Sequence, residues 1–421
     1  MRPRASNNER VKRRWLAALV FVVLGLGLGC RSTHDSTGGK VRLRFSGYTG
    51  NPVETRVMGE LVREFNASQS DIEVVYEPIP GQYYPKLLAM LVSETAPDVF
   101  YLDVLWFKPF LEKKKILLSL EPFLAKSTMK KADFMEPLVA AFSDRGTSYG
   151  IPKDFNTLAL FYNKDMFDAA GIPYPDETWD LDRLRDVARK LTKPGGAHGL
   201  VINHDSIDRF MPIANAYGAE LFSAEGHCAL ASPEATNALS FYTDLKLTDG
   251  SAIFPSDVGA SFAEDAFGRR MAAMALGGSW MIGYLAESNP DVRYGVTELP
   301  RGPKSRSNFL FTVSYSIPQS SRHSAEAFRF IEFLTSEAAQ ARITWALPSR
   351  NGAAERFVEQ HPEYAPVRKG AAYARPYEFG PKGNRVSARL GVALQQVFLG
   401  ANSSGKALHD ACDEIDRVTG L

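Results

Sequence analysis

The chain has 421 residues, 45% hydrophobic and 23% charged, with a formal net charge of +1. That is the make-up of a globular protein too long for one ordinary core, so two domains are expected. The near-neutral balance carries no electrostatic footprint for nucleic acid.

The first segment is a leader pattern. Arg10, Lys12, Arg13 and Arg14 precede the fourteen-residue apolar run Trp15–Leu28, which ends at Gly29-Cys30. A basic region, a short apolar run and a small residue read as a secretory signal over residues 1–29. A membrane span would need about 20 apolar residues. Without the signal's six cations and one anion the mature chain stands at −4. Residues 30–40 read as a polar tether. The cysteines are Cys30, Cys228 and Cys412. Export permits pairing of the last two, and spacing leaves this open; two separate buried thiols are the preferred reading. No Cys/His cluster has zinc-ligand spacing, so neither metal nor cofactor is expected.

Val41–Phe45 then alternates as a strand, followed by the turn Ser46-Gly47-Tyr48-Thr49-Gly50. Asn51 is a good N-cap and Pro52 suits the first helical position. Val53, Val57, Leu61, Val62 and Phe65 continue at helical spacing. Ile72–Tyr76 is a second strand. Tyr83–Thr95 is a second helix with Leu87, Leu88, Leu91 and Val92 inward. Val99–Leu102 is a third strand, flanked by Asp98 and Asp103. The order β-α-β-α-β predicts a parallel sheet with helices on its faces. Such sheets bind ligands beyond the carboxyl ends of their strands, where the Tyr48 turn and Asp103 fall.

Tyr149-Gly150-Ile151-Pro152 breaks the pattern, and Thr157–Tyr162 reads as a strand crossing between domains. A helix follows with Thr178 as N-cap and Leu181, Leu184, Val187 and Leu191 as its stripe. Gly199–Asn203 is a strand, and Ser232-Pro233-Glu234 opens a helix. Met271–Leu276 leads into Gly277-Gly278-Ser279-Trp280. Phe309–Ile317 is a returning strand, Ala325–Thr344 a helix, and Arg385–Leu399 and Lys406–Val418 are helical.

Two resemblances bear on these segments. Cys30 behind its apolar run resembles a bacterial lipobox, with Gly27 where that motif prefers Leu. This implies lipidation of Cys30 and a membrane anchor. The remainder resembles family 1 of the extracellular solute-binding proteins, the maltose-binding type that serves ATP-driven importers. The marks are Ala96-Pro97-Asp98-Val99-Phe100-Tyr101-Leu102-Asp103, Tyr149-Gly150-Ile151-Pro152, Phe161-Tyr162-Asn163-Lys164-Asp165-Met166-Phe167, Ala273-Met274-Ala275-Leu276-Gly277-Gly278-Ser279-Trp280, and Leu347-Pro348-Ser349-Arg350, in that order. The resemblance implies an α/β, two-lobed periplasmic-binding-protein fold of type II-like form. Each lobe is then a mainly parallel sheet flanked by helices, and hinge strands join them. The expected lobes are 41–150 with 310–358, and 151–309 with 359–421. The implied function is capture of a sugar or oligosaccharide between the lobes and delivery to an ABC-type importer. The protein is then an exported, lipid-anchored monomer facing periplasm or exterior, with permease subunits as partners.

A polyamine, iron chelate or phosphate ester is the alternative ligand, and signalling to a membrane sensor an alternative role. An exported glycosidase would need two carboxylates about 5–10 Å apart across the bond. No catalytic motif is present, and no enzyme is expected.

Sugar recognition calls for carboxylates and amides for the hydroxyls and an aromatic plate for the ring. Trp280, exposed by a Gly-Gly turn, is the first choice for the plate, and the family's equivalent tryptophan often stacks on ligand. Asp103 is a hydroxyl acceptor or an N-cap. Tyr48 lies in the first strand-to-helix turn, and Trp106 can wall the cleft. Asp154 and Asn156 flank the crossing as ligand contacts or hinge groups. Tyr315 is a ligand contact or a core ring. Arg375 and Tyr377 lie where the family brings a late cleft loop. Asp98 and Trp179 are read as structural.

Overall fold

The computed structural model describes residues 39–49, 52–113 and 116–420. The leader, Cys30, Gly50 and the expected N-cap Asn51 lie outside them. The first half begins as β1 (Val41–Ser46), α1 (Pro52–Ser68), β2 (Ile72–Tyr76), α2 (Tyr83–Val92) and β3 (Val99–Asp103). β1 pairs in parallel with β3. Helix α1 buries Val57, Met58, Leu61, Val62 and Phe65, and Phe65 meets Phe330 at 5.0 Å between ring centroids. Val53 and Val92, expected inward, are 42% and 66% exposed. Val92 lies about 100° around the helix from the buried Leu91. The chain leaves α2 there, since Glu94 takes a φ of 56°. α3 (Val104–Glu112) starts directly from β3, and the Asp103 side chain caps it.

The crossing is one strand, β4 (Gly150–Asn163), 14 residues long. The expected break at Pro152 does not occur. Opposite it, register shifts between Val313 and Ser314, so that Asp154 and Pro152 are paired and Lys153 is left over. A bulge of this kind is where a sheet tolerates proline.

Beyond the crossing come α4 (Leu181–Leu191), β5 (His198–Val201), α5 (Ile207–Tyr217), α6 (Pro233–Leu247), β6 (Ala252–Ile253), β7 (Ala272–Gly278), α7 (Trp280–Ser288), β8 (Tyr294–Thr297) and β9 (Asn308–Ser316). β5 is parallel to both β6 and β7. β4 runs antiparallel to β9 over Gly150–Thr157 and to β7 over Leu158–Tyr162. β9 is also antiparallel to β3 at Phe100–Asp103. The sheet order is therefore β2-β1-β3-β9-β4-β7-β5-β6. Each end is parallel, and β4 and β9 belong to both; these are the hinge strands.

Three local expectations are corrected. Asp180, not Thr178, caps α4: its side chain accepts from the Arg183 N–H at 2.7 Å, while Thr178 bonds Asp176. Asp180 stands immediately before the first helical residue, where a cap must be. The helix expected over 325–344 is split into α8 (Ser324–Leu334) and α9 (Glu337–Gln340). There Thr335 bonds back to the Ile331 carbonyl and Ser336 caps a new turn at Ala339. After β10 (Ala374–Pro376) the chain ends in α10 (Gly383–Phe398) and α11 (Ser404–Thr419). Cys228 and Cys412 are not separate thiols but a disulfide, with Cα atoms 5.1 Å apart. Their separation of 184 residues hid this from the sequence.

Candidate ligand-binding cleft

On the hinge strands, side chains are sealed almost everywhere. Among the 14 residues of β4 only Asn156 is not buried, and among the nine of β9 only Phe311 is not. These two residues are register partners. The sheet is thus accessible at one point, midway between its two parallel ends, and that point is the candidate floor for a ligand.

An aromatic group surrounds the floor. Trp280 stands edge-on to Phe311 with centroids 5.6 Å apart, and Phe311 lies 4.9 Å from Tyr377. Trp280 folds back over the end of β7. A Cβ at Gly278 would lie 2.2 Å from its ring, so this position requires glycine. The Trp280 indole N–H donates to Glu264 at 2.8 Å. The Arg209 guanidinium lies 5.6 Å from the Trp280 ring centroid and pairs with Asp208 and Glu264. Ser279 donates to the Asn156 side-chain oxygen.

The facing wall is built at the end of β3. Asp103 accepts from the Leu105 N–H at 2.8 Å, and its own N–H donates to the Tyr84 hydroxyl at 2.8 Å. Tyr84 stacks on Trp106, with centroids 4.9 Å apart and planes 16° from parallel. Burial pushes the Asp103 carboxyl up to about 7; the Leu105 N–H opposes this and the Asp154 charge adds to it. The Tyr377 hydroxyl is raised to about 12, chiefly by burial, with the Asp103 charge adding to the rise and Arg209 opposing it.

The other expected contacts divide. Tyr48 is half-buried beside this wall, edge-on to Tyr83 and Tyr101 at 5.8 and 5.4 Å. Asp154 is 6% exposed. It pairs with Lys153, which also holds Glu54 at 2.7 Å, and it accepts from the Trp345 indole at 3.1 Å. Asp154 is committed to the hinge. Tyr315 is wholly buried, tilted against Phe45 and Tyr101 in the core, so its expected contact with ligand is corrected. Arg375 is at the rim, where it forks onto Glu220. Asp98 is structural as expected: it accepts from the Arg44 N–H and the Ser321 hydroxyl. Trp179 is buried.

Asn156, Trp280 and Tyr377 thus gather around Phe311, while Asp103 and Trp106 stand at the end of β3, where Asp103 pairs with Val313, two residues along β9. Sequence reasoning missed Phe311, Tyr84, Arg209 and Glu264. Alternation along Phe309–Ile317 carried no mark for Phe311, and the others lie on helices whose facing direction is set by packing. Among the described residues no three His, Cys, Asp or Glu side chains group as metal ligands do, and no helix is long and apolar enough to cross a membrane.

The family described as bacterial extracellular solute-binding protein matches residues 51–341. The chain belongs to this family. Along its whole length this solute-binding protein is similar to a binding protein of Brucella abortus, at 25% identity over 96% of this chain and 98% of the other. It is also similar to the galactooligosaccharide-binding protein of Bacillus subtilis, at 26% identity over 63% of this chain and 64% of that one. In three dimensions it matches an ABC substrate-binding protein of Listeria monocytogenes solved with cycloalternan. That match has a TM-score of 0.80 and 22% identity, and covers 91% of this chain and 100% of the other. The fold is the two-lobed one of maltose-binding-like proteins.

Proposed function

We propose that this solute-binding protein captures a sugar or oligosaccharide in the cleft and hands it to an ABC-type importer. The reading is carried by the paired opening at Asn156 and Phe311, with the Trp280 ring on one side and the Asp103 carboxyl on the other. An amide, a carboxylate and aromatic faces converging on one floor match the hydroxyls and apolar ring faces of a sugar. The names of the Bacillus and Listeria relatives agree with it. In this reading 41–150 with 310–358 form one lobe and 151–309 with 359–421 the other. Asp103, Trp106, Asn156, Trp280 and Tyr377 touch the ligand, Tyr48 supports their wall, and Cys30 carries a lipid anchor on a monomer outside the cytoplasm.

The test is a thermal-shift screen against a carbohydrate library, with polyamines and phosphate esters alongside. A ligand at about 100 times its Kd stabilises by about 2.7 kcal/mol, a visible rise in Tm. A protein that responds only to polyamines or phosphate esters would overturn the sugar reading.

A further inference from the structure

A cavity of about 410 Å³ lies at the far end of α3 from the cleft floor, lined by Glu112, Phe222, Phe379, Gly380, Pro381 and Lys382. Its volume is that of a ligand site. Two connections join it to the cleft. The first is α3, which Asp103 caps and which carries Trp106 in its first turn and Glu112 at its end. Its nine residues span about 13 Å at about 1.5 Å per residue. The second is the ring chain from Tyr377 in the cleft to Phe379 in the cavity, 5.1 Å between centroids.

The wall bearing Phe222 is fastened at both ends. Glu220 receives the fork of Arg375. Cys228 is bonded to Cys412 on α11, and its N–H donates to Asp416 at 2.7 Å. Between them Phe222 and Cys228 bridge in antiparallel fashion, and Ser223 donates to the His227 carbonyl at 2.8 Å. Phe222 then lies over Gly380, about 4.0 Å from where a Cβ would stand. The cavity offers a sugar three groups of its own: the half-buried Phe222 face, the Glu112 carboxylate and the Lys382 ammonium.

We propose that this cavity is a second sugar-contact site, filled by the far end of an oligosaccharide whose near end covers Asn156 and Phe311, and that the Cys228–Cys412 disulfide positions Phe222 in it. The proposal rests on the sugar reading above and narrows it to ligands longer than one unit. A monosaccharide on the floor cannot reach past Trp106 to Glu112; a chain of sugars can.

The experiment is calorimetry with ladders of maltodextrins, galacto-oligosaccharides and arabino-oligosaccharides, from monosaccharide to hexasaccharide. In the ladder that binds, affinity rises with length until the cavity is reached. Phe222→Ala and, from the opposite wall, Glu112→Gln then cost the long members about tenfold and leave the short members within about twofold. The double variant Cys228→Ser/Cys412→Ser gives the same split, with circular dichroism confirming the fold. Equal losses at every length, or none, overturn the second site while the sugar reading stands. Short members binding as tightly as long ones in the wild type do so too. Silence from all three ladders, with a response to polyamines or phosphate esters, overturns both.

Discussion

Trp280 is held by an indole hydrogen bond to Glu264 and by contact with Arg209 and Phe311, yet it is only partly buried. Those contacts fix its ring before ligand arrives, which spares ordering entropy on binding. Trp280→Ala is expected to lower sugar affinity by about 1–3 kcal/mol, by analogy with stacking on nucleic-acid bases. Stability should fall by less than the about 3–5 kcal/mol of a buried tryptophan. Calorimetry and a melting curve on this one variant separate the roles; a large stability loss with intact affinity would make it a core residue. Asp103 offers a pH test. Its folded carboxyl titrates at about 7, against about 3.9 unfolded. Between those values the folded state holds a proton that the unfolded state has released, so this group's contribution to stability declines as pH rises. Asp103→Asn keeps a good N-cap and cannot ionise. Because the carboxyl is partly exposed, the variant should gain only about 1–2 kcal/mol over wild type between pH 5 and pH 8. Urea melts at both pH values check this, and a gap that does not change with pH counts against it.

At the scale of elements, the decisive one is β4. Its bulge leaves Lys153 unpaired in the ladder and wholly buried. The ammonium lies between Glu54 and Asp154, and 4.8 and 5.3 Å from the ring centroids of Tyr101 and Trp345. The two carboxylates hold the Lys153 ammonium in its charged form against the pull of burial. Removing it would leave both buried acids without their cation. Lys153→Met should therefore cost about 3–5 kcal/mol. The double variant Lys153→Met/Glu54→Gln, which leaves one buried acid without a cation instead of two, should recover part of that. Denaturant melts of the pair decide it; equal stability of both would mean that the cluster is not coupled.

For the whole molecule, β4 and β9 are the strands shared by both halves of the sheet, and the candidate cleft opens where they meet. Two strands resist bending far less than a full sheet, so closure about them is the motion expected on binding. Ligand should select a more closed state. Small-angle scattering should then show a smaller radius of gyration under saturation, and an unchanged curve would mean a rigid site.

Chain order and local chemistry were readable in the residues themselves. The β-α-β-α-β start, the Ser232 cap of α6, the return strand and the two last helices follow from periodicity and capping, which act over a few positions. Asp103 at the end of β3 and Trp280 behind Gly278 were legible for the same reason. Only the tertiary structure decided the rest. Pro152 remains inside β4 because a partner strand from residues 308–316 bulges the pairing there. Tyr315 is a core ring because β1 and α1 cover it, and Cys228 meets Cys412 because α11 packs beside the loop after α5. Phe311 became part of the floor by pairing with Asn156, a residue far away in the chain. Spacing along a sequence encodes which face of an element is apolar. Which neighbour covers that face, and where the cover ends, is settled by contacts between segments that no local pattern records.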